Sequence, residues 1–211
     1  MTDYFISPDI LLYVLDMMGI VACAVAGTLL AQHKGFDIFG CVLVAMVNAI
    51  GGGTMRDIAL DRHPLFWMTD LNYVIVITLV SLAMQMFFHL SHKIGTVIKV
   101  FDAVGLAAFS VIGFKVALSM GVSPAIAVMM AVWTSIIGGM IRDIICNEIP
   151  LVLQREIYIT ASVAGSCVYL MLDALNVKTG VNDFVMLGTI FTIRILAMRF
   201  DWHLPSIRLV K

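Results

Sequence analysis

The chain has 211 residues, 61% apolar and only 13% charged, with a formal net charge of −1. A soluble domain is about one quarter charged, so this sequence lacks the polar groups to cover a water-facing surface. Its mean hydropathy of +1.02 also excludes a disordered chain, and its near-neutral charge argues against a nucleic-acid partner, which would need a basic stripe. What remains is an all-α integral membrane protein whose solvent is the lipid bilayer.

A bilayer core takes roughly 20 apolar residues per helix. Runs of that kind fall at 10–31, 38–58, 71–90, 96–118, 124–145, 157–175 and 184–198. The seventh is the shortest and contains Arg194. Short connections rich in turn formers join them, so residues 1–211 read as a single membrane domain. The N-terminus, Met1-Thr2-Asp3-Tyr4, lacks the basic region of a cleaved leader, and the first run is read as a span. Lys and Arg outside the spans set the orientation. With the N-terminus outside, Lys34, Lys93, Arg155, Arg199, Arg208 and Lys211 face inward and only Arg62 and Lys178 face outward. That balance predicts a cytoplasmic C-terminus. Cys23, Cys41, Cys146 and Cys167 sit in apolar runs without a C-x-x-C pair and read as small buried hydrophobes.

Self-comparison reveals a duplication. A shift of 86 residues aligns Asp16 with Asp102, Gly19 with Gly105, Gly27 with Gly113 and Gly35 with Gly121. The same register brings Gly52-Gly53-Thr54-Met55-Arg56-Asp57 onto Gly138-Gly139-Met140-Ile141-Arg142-Asp143, each followed by Pro-Leu. Arg-Asp pairs inside apolar runs do not arise from composition. Each copy holds three spans, and an odd number forces the second to enter from the opposite side. The expected architecture is therefore two inverted repeats, 10–90 and 96–176, plus a seventh helix at 184–200. Inverted repeats with interrupted helices are characteristic of transport proteins, and here the interrupted helices would be spans two and five.

The duplicated GG-x-x-RD motif, the two three-helix repeats and the extra helix resemble the TRIC (trimeric intracellular cation) channels. The likeness is closest to the prokaryotic members, also catalogued as a glycine-transporter domain present twice. It covers about residues 8–200. It implies a homotrimer in the bacterial inner membrane, with one pore per protomer permeable to K⁺ and other monovalent cations, and glycine motifs that kink helices two and five beside the pore. It also links a basic residue on the fourth helix to gating, which makes Lys115 a candidate. The chain departs from the pattern in having two glycines rather than three in its second copy.

The motif residues have definite physical capacities. Glycine costs a helix roughly 1 kcal/mol relative to alanine, so Gly51, Gly52, Gly53, Gly138 and Gly139 mark possible unwinding, where freed carbonyls would hold a monovalent cation, K⁺ or Na⁺. Close helix packing is the alternative use of such glycines. At roughly 1.5 Å per residue, Arg56 and Arg142 lie toward opposite membrane faces. Depth matching then pairs Asp16 with Arg56 and Asp102 with Arg142, while neighbours in sequence point about 100° apart and are not expected to pair. Asp57 and Asp143 are left as negative groups at the pore mouths. Lys115 has Leu29 as its repeat mate, and snorkelling to the interface is its simpler role. Asn48, Thr134, Ser135 and Ser110 supply polar atoms to the spans, as pore lining or as glue between helices. Histidines 33, 63, 89, 92 and 203 have no metal-site spacing, and no nucleophile elbow or phosphate loop occurs, so neither an enzyme nor a resident cofactor is expected. A carrier for a small zwitterion such as glycine is the competing reading, because broken helix ends would bind its two charges. A structural scaffold explains the hydrophobicity but not the duplicated charges.

Overall fold

The structure, a computed structural model, describes residues 8–87, 94–154 and 157–202. Of the charges expected to face inward, Lys93, Arg155, Arg208 and Lys211 lie outside the described residues, as do His89, His92 and His203. The apolar runs become α1 (Pro8–His33), α2 (Ile38–Ala59), α4 (Asn72–Phe87), α5 (Ile94–Ser119), α6 (Pro124–Ile145), α7 (Ile159–Ala174) and α8 (Thr179–Phe200). A one-turn helix, α3 (Phe66–Thr69), and a 3₁₀ turn at Leu151–Leu153 occupy the loops after α2 and α6. Among the described residues, α1, α2, α5, α6 and α8 are long and apolar enough to cross a membrane, whereas α4 and α7 have 16 residues each. A helix of that length rises roughly 24 Å, short of a full bilayer core.

Local chemistry fixes the ends. The Asp37 carboxylate accepts from the Gly40 amide at 2.6 Å and starts α2. Ser123 and Pro124 start α6. Gly35 and Gly121 turn the chain after α1 and α5 with φ of +77° and +75°, a conformation that favours glycine. Asp61 and Asn147, again 86 apart, take left-handed φ of 52° and 54° after α2 and α6. The seventh run begins earlier than its hydropathy suggests, because Asn182 and Asp183 are buried inside α8.

Helix α5 is the hub, with 72% of its most apolar stretch buried against at most 50% in any other spanning helix. It packs on α1, α6, α7 and α8, and α2 closes the bundle against α1 and α6. The α1–α5 contact is reciprocal. Gly19 leaves room for the Phe109 ring and Gly105 for the Cys23 thiol, and residues 23 and 109 are also one offset apart. Numbering rises along α1 as it falls along α5, so these equivalent helices run antiparallel.

Candidate functional site

The duplicated glycines lie where α2 crosses α6. A Cβ at Gly52 would overlap the Thr134 carbonyl, and one at Gly138 would overlap the Asn48 carbonyl. This pair of contacts is reciprocal too, and the two backbones touch. Gly51 faces Gly138, with 3.6 Å from its Cβ position to the Gly138 Cα. Gly53 leaves space for the Phe66 ring, and Gly139 faces the Arg142 guanidinium and the Asp102 carboxylate. Both helices run without interruption through the glycines. The expected unwinding is therefore corrected. The missing side chains allow close backbone approach.

Two side-chain oxygens at the crossing lack partners among the described residues. Asn48 and Thr134 are each 2% exposed and stand one offset apart. The Asn48 amide Nδ2 donates to the Cys23 carbonyl at 2.7 Å, tying α2 to α1. Asn48 Oδ1 and Thr134 Oγ1 accept nothing from the described residues. Ser135 donates back to the Val132 carbonyl of its own helix, and Ser110 pairs with Ser162 at 2.8 Å between α5 and α7.

The buried charges form two clusters, one beyond each end of the crossing. In the second, Arg142 Nη1 donates to Asp102 Oδ1 at 2.8 Å, as depth matching predicts. In the first, Asp16 does not bond Arg56; its Oδ2 accepts from the Tyr73 hydroxyl at 2.6 Å. A second expectation also fails in both clusters. Arg56 Nε and Nη2 grip Asp57 Oδ1 at 2.8 and 2.7 Å, and Arg142 grips Asp143 in the same way. The 100° divergence holds for Cβ directions, but the long arginine arm bends back across it. Asp57 Oδ2 then accepts the Phe66 amide and Asp143 Oδ2 the Leu151 amide. With both oxygens engaged and the residues buried, Asp57 and Asp143 anchor the loops after α2 and α6.

Lys115 does not reach the glycine crossing. Its Nζ lies 3.4 Å from Asp183 Oδ1 on α8 and 5.7 Å from the centre of the Tyr169 ring on α7, so it fastens α5 to both helices.

Comparison with known proteins gives these features a context. The family model described as glycine transporter matches residues 13–89 and 99–174, two segments whose starts are 86 residues apart. The chain is similar to a crystal structure of the TRIC trimeric intracellular cation channel orthologue from Rhodobacter sphaeroides, with TM-score 0.87 and 35% identity over 91% of this chain and 99% of that one. The chain belongs to the prokaryotic TRIC family. A further family structure, described as the basis for conductance through TRIC cation channels, gives TM-score 0.85 and 34% identity over 98% of this chain and 100% of that one. Among TRIC-like relatives, a UPF0126 membrane protein of Vibrio cholerae is 39% identical over 95% of this chain and 84% of its own length. The UPF0126 inner membrane protein YadS of Escherichia coli K12 is 36% identical over 92% and 94%. Set beside this family, the residues that sequence reasoning missed are Tyr73, Tyr158 and Asp183. The two tyrosines hold Asp16 and Asp102 and lie 85 rather than 86 residues apart. A self-comparison that allowed one gap after the Arg-Asp motifs finds them.

Proposed function

We propose that the chain is a cation channel, with K⁺ as its principal ion, assembled as a homotrimer with one path per protomer. The observation that carries this reading is the likeness, over nearly the whole chain, to a structure that explains conductance through TRIC cation channels. On this reading residues 10–90 and 96–176 are inverted repeats of one membrane domain, 1–211. The seventh span is 184–200, the N-terminus is external and the C-terminus cytoplasmic. The antiparallel, reciprocal contacts of α1 with α5 and α2 with α6 support it. The path runs beside the α2–α6 crossing, where Asn48 Oδ1 and Thr134 Oγ1 offer oxygen to a partly dehydrated monovalent cation. Asp16, with one carboxylate oxygen unengaged among the described residues, supplies negative charge beyond one end of that crossing. No cofactor or covalent chemistry is needed.

The test is purified protein in a planar bilayer bathed in KCl. Unitary current steps, with Asn48→Ala and Thr134→Ala each lowering their size, are the expected result. The competing reading is a glycine carrier, favoured only by the description of the family model. Saturable glycine uptake without unitary steps would establish that reading instead.

A further inference from the structure

Cys41 and Cys146 come from the two helices that cross at the glycines, and the register of that crossing brings them level. Gly52 meets the Thr134 carbonyl and Gly138 the Asn48 carbonyl, so each step up α2 is a step down α6. Cys41, seven residues before Asn48, therefore stands beside residue 145, next to the Cys146 cap of α6. From Cys41 to Gly52 is three helical turns and about 20°, so the Cys41 side chain leaves α2 on the side from which Gly52 meets α6. The two thiols share one small apolar cluster with Ala31 and Val44, Cys41 1% exposed and Cys146 2%. Both are free. Burial pushes the Cys146 thiol up, Arg142 and Lys34 draw it back, and Cys41 lies close enough to add to the rise.

The duplication sets this contact apart. The repeat mates of Cys41 and Cys146 are Ala127 and Leu60, so the chain departs from its own repeat at both members of one level pair. Apolar side chains without sulfur fill the equivalent place, and what distinguishes a free cysteine from them is reactivity rather than packing. We propose that Cys41 and Cys146 are an oxidisable thiol pair, converted by hydrogen peroxide to a disulfide that joins the start of α2 to the end of α6. The Cys146 thiolate attacks one peroxide oxygen, the O–O bond breaks, and the departing hydroxide takes up the thiol proton as water. The Cys41 thiol then gives up its proton and attacks the sulfenic sulfur; the S–O bond breaks and a second water leaves. Two thiols and one peroxide become one disulfide and two waters. Disulfides of intracellular proteins are usually transient and redox-sensing. Because α2 and α6 flank the proposed path, the bond restrains the helices on both sides of it and stops conduction, a consequence that rests on the channel reading above.

The test uses the full chain in detergent on a Cys167→Ser background, which removes the exposed thiol and leaves three. After hydrogen peroxide, thiols alkylated in denaturant should fall from three to one, and dithiothreitol should restore them. Digestion should yield a peptide pair linked through residues 41 and 146, absent from Cys41→Ala and Cys146→Ala. Retention of all three thiols, or a link to Cys23 instead, would overturn the proposal. Mapping the link in the background protein decides this even if neither alanine variant folds. In a planar bilayer, peroxide should abolish the unitary K⁺ current, dithiothreitol should restore it, and Cys41→Ala channels should go on conducting in peroxide. A mapped disulfide with undiminished current overturns the restraint on the path. Reduced protein without unitary current defeats the channel reading, a different failure, and the thiol count still decides the pair.

Discussion

Arginine 56 and arginine 142 occupy matching places but do not have matching support. Arg142 shares its charge between Asp102 and Asp143, whereas among the described residues Arg56 bonds only Asp57. Removing one partner of a buried pair typically costs about 3–5 kcal/mol because the other charge is left stranded. Asp57→Asn should approach that loss, since it strands a guanidinium that is only 4% exposed. Asp143→Asn leaves Arg142 its bond to Asp102 and should cost less, about 1–3 kcal/mol. Unfolding of both variants in detergent, followed by heat or SDS, checks the order, and an equal or larger loss for Asp143→Asn would show that Asp102 does not share the charge.

At the scale of helices, the question is what the glycines are for, and magnitudes decide it. A glycine weakens a helix by roughly 1 kcal/mol, but an unsatisfied backbone group in lipid costs several. A run of three glycines is therefore too weak to break α2 inside a bilayer without a polar partner for the freed carbonyls. What a methyl group at Gly52 or Gly138 meets is a carbonyl on the facing helix. Gly52→Ala and Gly138→Ala should each destabilise by about 1–3 kcal/mol through overpacking and lower folded yield. Gly188 in α8 has open space around its Cβ position, so Gly188→Ala should stabilise by up to about 1 kcal/mol. Thermal midpoints of the three variants test this, and neutral behaviour at residues 52 and 138 would mean the helices separate readily at the crossing. The same reasoning explains what the sequence made legible. Hydropathy located the long helices but not the one-turn α3, because burial in lipid outweighs local propensity, and the repeat located the charged residues because Arg-Asp pairs are too costly to occur there by chance. Their partners were hidden. Depth along a helix does not say which way a flexible arginine bends, and a one-residue difference between the loops after α2 and α6 concealed the equivalence of Tyr73 and Tyr158.

Over the whole molecule, the packing sorts the loops into two ends without reference to a membrane. Lys34, after α1, meets Glu148, after α6, at 2.5 Å. The Lys34 ammonium bonds the Glu148 carboxyl and holds it below its ordinary range. A groove of about 1000 Å³ at this end is lined by Lys99, Glu148, Arg194 and Arg199, which brings the last turn of α8 to the same side. The other end gathers the loop after α2, where Arg62 approaches Asp57 at 3.5 Å, and the start of α4, where Asp70 accepts from Tyr13 at 2.9 Å. The start of α8 beside Lys178 belongs there too, because α8 runs from this end to the groove. Lysine and arginine near span ends favour the cytoplasm, and they are denser at the Lys34 end. His63→Cys and Lys178→Cys should therefore react with a membrane-impermeant maleimide added to intact cells. Gln154→Cys and Trp202→Cys should react only after the membrane is opened. Cys23, Cys41 and Cys146 are buried and Cys167 is exposed, so the series is built on a Cys167→Ser background. Labelling of Gln154→Cys and Trp202→Cys in intact cells, with His63→Cys and Lys178→Cys protected, would invert the orientation.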